Sequence, residues 1–239
     1  MYVGSLTRYY LEDWLTVVQQ AGATSGTEVL LVRSAPAPDD PLTDPGDVRD
    51  AVVAWCDGLA HALGIPCAWP ETADSPYWTD KPDWDGYGAV VLAAAYDERP
   101  DLRPAASGLL RRKASPDRPR DFGESRAYQA ASAQPTRYPT LLGGAEWWLP
   151  IGSMPGAWAA PRVSGEMTRM STVENLGTEL VELADRTGLL DGVRREDVLQ
   201  CGVPSSDAPI EEVAPFGLAM LLGLAEQASL HRQPLLLDY

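Results

Sequence analysis

Three aspartates within six residues, Asp80, Asp83 and Asp85, and a glutamate directly ahead of two tryptophans, Glu146 in AEWWLP, are the side chains best placed to do chemistry. A carboxyl held against an aromatic wall has its charged form disfavoured, so its pKa rises and it can act as a general acid. On that reasoning Asp80, Asp85 and Glu146 are the candidate catalytic residues. Each also has an ordinary structural explanation. Acidic residues in a first helical turn complement the helix dipole, which would account for the three aspartates. Glu146 on a strand can point to solvent, with Trp148 on its own face and Trp147 on the opposite one.

Candidate binding residues lie around these carboxylates. The stretch DSPYWTDKPDWD interleaves Tyr77, Trp78 and Trp84 with acids, and Trp147 follows Glu146. Arg8-Tyr9 and Arg137-Tyr138 repeat a basic-aromatic pairing that can hold an anion or stack on a ring. The plainer alternative is an arginine stem lying over an exposed ring. Eight tryptophans suit either a recognition surface or core filling. Signatures of the common catalytic classes are missing: there is no GxSxG, HExxH, Walker A or GxGxxG. His61 and His231 are the only histidines, and neither lies in a nucleophile-activating motif. A metal site would need Cys67, Cys201, His61 and His231 to converge from far apart, so none is expected, and no cofactor is implied.

Composition narrows the partners. The 239 residues carry 19 basic against 34 acidic side chains, a formal charge of −15. Nucleic acid is excluded as the main partner, because phosphate neutralisation needs clustered cations. A protein partner, basic in character, or a small-molecule ligand remains. The start MYVGSLTRYYLEDW shows no basic region followed by an apolar run, and no membrane span is read, so a cytoplasmic location is expected. Cys56, Cys67 and Cys201 show no CxxC spacing, which suits reduced thiols.

Positioning elements follow from periodicity and caps. Arg8–Gln20 reads as a helix and Thr27–Arg33 as a strand. Asp44-Pro45 opens a helix to about Leu63, closed by Gly64. Asp83 can cap a helix from Trp84 towards Glu98, although Val90, Val91 and Leu92 in a row also allow a strand. An arginine-dense loop follows, with a short helix at 124–133. Residues 138–170 read as a three-strand meander. Ser171-Thr172-Val173-Glu174 has the form of a capping box, opening a helix that stops at Gly188. A turn of helix at Arg195–Gln200 and a long apolar helix from Asp207 to about His231 complete the chain, with Pro215 expected to kink or divide the latter. The fold class is α+β, with amphipathic helices packed on a small, mainly antiparallel sheet that the Thr27–Arg33 strand joins. One domain over 1–239 is expected, with 105–125 the one stretch that could divide it. The C-terminal helix is apolar enough to cover a core face or to form a homodimer contact.

SLTRYYLEDWLTVVQ at 5–19, TDKPDWDGYGAVVLAAAY at 79–96, AEWWLP at 145–150 and the STVENLGTELVELA helix together resemble an uncharacterised actinobacterial protein family, over about the first 185 residues. The late order of a WLP strand, a short strand pair and a helix of the form S-x-x-x-L-x-x-EL is also similar to immunity proteins that neutralise toxins. Ser171, Leu176, Glu179 and Leu180 carry that form here, with one extra residue between Ser171 and Leu176, and Leu190–Tyr239 falls outside it. The resemblance implies an acidic protein that binds and blocks a protein partner. The alternative is a small-molecule enzyme using carboxylate and tyrosine acid-base chemistry in a Trp-lined pocket.

Overall fold

A short strand gains little from its own residues and persists only as part of a larger sheet; the strands Tyr2–Val3 and Leu235–Leu236, near opposite ends of the sequence, pair with each other in this way. The computed structural model describes residues 1–11, 45–80, 84–104, 117–205 and 208–237. In chain order the elements are β1 (Tyr2–Val3), α1 (Leu6–Leu11), α2 (Pro45–Leu63), β2 (Trp78–Thr79), α3 (Trp84–Glu98), α4 (Arg126–Ser132), β3 (Trp147–Leu149), β4 (Trp158–Pro161), β5 (Met167–Thr172), α5 (Val173–Thr187), α6 (Arg195–Gln200), α7 (Ile210–His231) and β6 (Leu235–Leu236). Two 3-10 turns, Pro100–Leu102 and Pro119–Glu124, flank α3 and α4. The chain forms two compact units, Met1–Val3 with Trp78–Tyr239, and Gly4–Tyr77.

The larger unit holds a six-stranded mixed sheet in the order β2-β1-β6-β3-β5-β4. Most of its pairs are antiparallel, but β3 runs parallel to β5, with Trp147 opposite Met170. The expected α+β class holds, while the expected meander over 138–170 does not. β4 pairs only with β5 among the described strands, so β5 returns between β3 and β4. The connection from Pro150 to Ala157 is long enough to carry the chain past the intervening strand position, and the Ser171 hydroxyl ties it down by donating to the Gly156 carbonyl at 2.8 Å. Residues 138–144 form turns rather than strand.

Against this sheet pack α5 and α7, and α3 packs on both of them. α3 is buried on all sides from Asp85 to Tyr96, so a one-sided periodicity was never available to it. Its length and its contact with α7 decide for helix over strand. Two glycines make that packing close: a Cβ on Gly217 of α7 would run into the Gly86 carbonyl of α3, and one on Gly88 into the Pro119 carbonyl. Pro215 does not divide α7, which is one element over Ile210–His231. The lost hydrogen bond is outweighed by burial of Val213, Phe216, Leu218 and Leu221. α7 is the one described helix long and apolar enough to cross a bilayer, and here that apolar surface is largely buried in the unit's own core.

α5 begins one residue later than the capping-box motif implies. The N-cap is Thr172, whose hydroxyl accepts from the Asn175 amide at 3.1 Å. Ser171 is a fully buried strand residue that shares a hydrogen bond with the Thr140 hydroxyl. Gly188, at φ 65°, ends the helix as expected. Thr172→Ala is therefore expected to cost about 1 kcal/mol, read as a lowered midpoint in denaturant titration; an unchanged midpoint would show the cap to be idle.

In the smaller unit, α1 starts at Leu6, before the expected Arg8, because a distant carboxylate caps it. Glu71 accepts from the Leu6 amide at 2.9 Å, the Thr7 amide at 2.8 Å and the Trp69 indole. The remainder of the expected helix to Gln20, the Thr27–Arg33 strand, Asp44 and Asp83 lie outside the described residues. α2 runs over Pro45–Leu63 as expected, with Val48, Val52, Cys56 and Leu59 buried on one stripe and Gly64 at φ 70° beyond it.

Candidate functional site

The structure sorts the expected site residues into pairs held by arginines. Asp85, buried at the start of α3, takes a two-pronged bond from Arg120, Nε to Oδ1 at 3.0 Å and Nη2 to Oδ2 at 2.6 Å. Trp84 donates its indole N–H to the Arg120 carbonyl at 2.9 Å, so the Trp84-Asp85 pair acts as a clamp on the second 3-10 turn. Trp84 also packs on Tyr87 and Phe122. Glu146 accepts from Arg162 Nη2 at 2.9 Å and from the Thr168 hydroxyl. The same guanidinium lies 5.4 Å from the ring centre of Trp147. Strand alternation alone separates Glu146 from Trp147; Arg162 rejoins them. Trp147 itself is buried in β3. Asp80 is exposed, and its backbone exchanges hydrogen bonds with Met1, accepting from the terminal amine at 2.7 Å.

The binding candidates divide similarly. Arg8 lies 3.7 Å over the Tyr77 ring and donates to the Ser75 carbonyl, a cation-π contact inside the smaller unit. Tyr9 packs edge-on against Tyr10. Trp78 is stacked on His231 with ring centres 4.4 Å apart. Arg137 binds Glu98 through its backbone amide at 2.8 Å and its Nη1 at 3.3 Å, and its Nε stands 3.9 Å from Glu182 on α5.

That last contact leads to a face that sequence reasoning missed. α5 turns Val173, Leu176, Leu180 and Leu183 inward. Its outer face carries a shallow, open depression lined by Gly177, Thr178, Val181, Glu182, Asp185 and Arg186. Val181, one of these, is 52% exposed. The rim is pinned from beneath: Arg186 donates Nε and Nη2 to Asp97 at 2.6 and 3.2 Å, and the Tyr138 hydroxyl donates to Asp97 at 2.8 Å. Burial works to raise the Asp97 pKa, but the hydrogen bonds from Arg186 and Tyr138 prevail and hold it below the usual carboxylate range. Burial and the bond to Asp97 push the Tyr138 phenol up, so it stays a donor. Glu182 and Asp185 face outward, and Glu174 is exposed in the first turn of the same helix. The result is an exposed valine beside Glu182, Asp185 and Arg186, with Arg137 close to Glu182. The available signal was a valine and a glycine four residues apart on the polar side of an otherwise regular amphipathic helix.

Among the described residues no group of three His, Cys, Asp or Glu is placed to hold a metal ion. Cys56 and Cys67 are buried, and burial pushes the Cys56 thiol up to about 12. No protein-family model, curated protein or solved structure matches the chain.

Proposed function

We propose that this chain is an acidic interaction protein, immunity-like, that binds and blocks a basic protein partner, and that the outer face of α5 is its contact surface. The observation that carries this reading is the exposed Val181 ringed by Glu182 and Asp185, beside a rim already held in place by Arg137, Asp97 and Tyr138. An apolar anchor inside a polar rim is the anatomy of a recognition patch, and a formal charge of −15 steers cationic partners towards it. A small-molecule enzyme built on the three carboxylates has less to stand on, since Asp85 and Glu146 are each engaged by a different arginine. A cytoplasmic location belongs to the same proposal.

The test is capture of basic proteins from the native lysate on immobilised chain, at low and high salt. Val181→Arg with Asp185→Lys should abolish the salt-sensitive capture. The charge-matched pair Ala54→Lys with Asp57→Lys, on the exposed side of α2, should leave it intact. Equal capture by both variants would remove α5 as the contact.

A further inference from the structure

We infer that the Asp191-Gly192 turn is a site of covalent self-modification, at which the main chain migrates onto the aspartate side chain to give an isoaspartate. Three Asp-Gly pairs occur in the sequence, Asp57-Gly58, Asp85-Gly86 and Asp191-Gly192. Each has the composition the reaction needs, since glycine has no Cβ to shield its amide nitrogen. The reaction also needs a carboxyl free to swing onto that nitrogen and a backbone free to follow. The fold withholds these from two of the pairs. Asp57 and Gly58 lie inside α2, where the dihedrals are fixed and amides are committed to carbonyls one turn back. Asp85 and Gly86 lie in α3, with the Asp85 carboxylate gripped by Arg120 and the Gly86 carbonyl packed against Gly217.

Asp191 and Gly192 differ on every count. Both are exposed, in a turn between α5 and α6. Among the described residues the Asp191 carboxylate accepts no hydrogen bond and pairs with no cation. The amides on either side are bonded, Asp191 to the Gly188 carbonyl at 3.1 Å and Val193 to that of Leu190 at 3.3 Å, while the Gly192 amide donates to no carbonyl. The one asparagine offers no competing route: Asn175 precedes a leucine inside α5 and its amide is bonded to the Met154 carbonyl. In the reaction the Gly192 nitrogen attacks Cγ of the protonated Asp191 carboxyl. Its proton and the carboxyl's hydroxyl leave together as water, closing a five-membered succinimide. Water then adds to either ring carbonyl. Opening at Cγ restores aspartate; opening at the former main-chain carbonyl leaves the chain running through Cβ and Cγ, with a free α-carboxylate. One water leaves and one returns, and nothing is oxidised or reduced. The product carries an extra methylene in the main chain just beyond Gly188, the residue that ends α5. Its α-carboxylate is of the class that isoaspartyl methyltransferases esterify with S-adenosylmethionine.

The experiment holds the full chain for several weeks in mildly acidic buffer, well below its melting temperature. Digests are then read by electron-transfer fragmentation, and intact chain by methyl transfer from S-adenosylmethionine with an isoaspartyl methyltransferase. Isoaspartate should accumulate at Asp191 faster than at Asp57 or Asp85 by about tenfold or more. The same chain kept in urea should form it at all three positions, because unfolding frees the two helical pairs. Asp191→Glu, whose ring would need six members, should fold as wild type and lose methyl acceptance. Folded chain that modifies Asp57 or Asp85 as fast as Asp191 would overturn the assignment. So would a folded chain in which Asp191 is spared while the chain in urea is modified there, or methyl acceptance that survives undiminished in Asp191→Glu.

Discussion

Leu221→Asp is expected to unfold the larger unit. Leu221 is fully buried in the cluster formed by α3, α5 and α7, so the substitution removes a packed side chain and places a carboxyl where no cation waits. Losing a buried leucine costs about 2–5 kcal/mol, and an unpaired buried charge adds several more unless it takes up a proton. Total stabilities of about 5–15 kcal/mol leave little after that. Thermal melts and far-UV circular dichroism should show the native transition lost or lowered by well over about 10 °C. Leu230→Asp on the same helix supplies the comparison. Leu230 is 73% exposed, and its substitution should stay within about 0.5 kcal/mol of wild type. A folded Leu221→Asp that merely changed its size on gel filtration would instead make α7 an inter-subunit helix.

Raising pH from about 4.5 to about 7 is expected to destabilise the protein by about 3 kcal/mol through one residue, Glu179. Burial in the inward face of α5 pushes this carboxyl from 4.5 up to about 7, against the lowering effect of its bonds from Thr140 and Leu141. The two amides donate at 2.7 and 2.9 Å and hold the start of the 138–144 turns. Because the folded pKa lies above the unfolded one, the fold binds an extra proton between about 4.5 and about 7. Its contribution is complete below that window and is lost as pH rises through it. Urea titrations at about pH 5 and about pH 8.5 should therefore differ, and Glu179→Gln, which cannot ionise, should flatten the difference. A profile in Glu179→Gln as steep as in wild type would assign the effect to other groups.

What the sequence by itself determined was every element whose evidence is local. α2 shows its apolar face Val48, Val52, Trp55, Leu59 and Leu63 in the spacing, and Gly64 and Gly188 mark helix ends by a backbone conformation that glycine tolerates. α3 and α7 were legible as long apolar runs bounded by prolines. The tertiary structure alone decided the rest. β1, β2 and β6 have two residues each, too few to show a period, and exist because each finds an edge. The parallel pairing of β3 with β5 depends on where an eight-residue connection travels, which no residue in it encodes. The N-cap moved from Ser171 to Thr172 because the Ser171 hydroxyl is taken up by Thr140 and the Gly156 carbonyl, while that of Thr172 meets the Asn175 amide. Most of the candidate site changed for the same kind of reason. Asp85 and Glu146 looked poised for acid-base work until arginines 35 and 16 positions away closed on them. Glu179, read only as a motif position, became the buried carboxylate whose ionisation the fold resists. A residue's type and near neighbours set what it can do; its solvation and its charge partners come from segments far along the chain, and these decide which of those things it does.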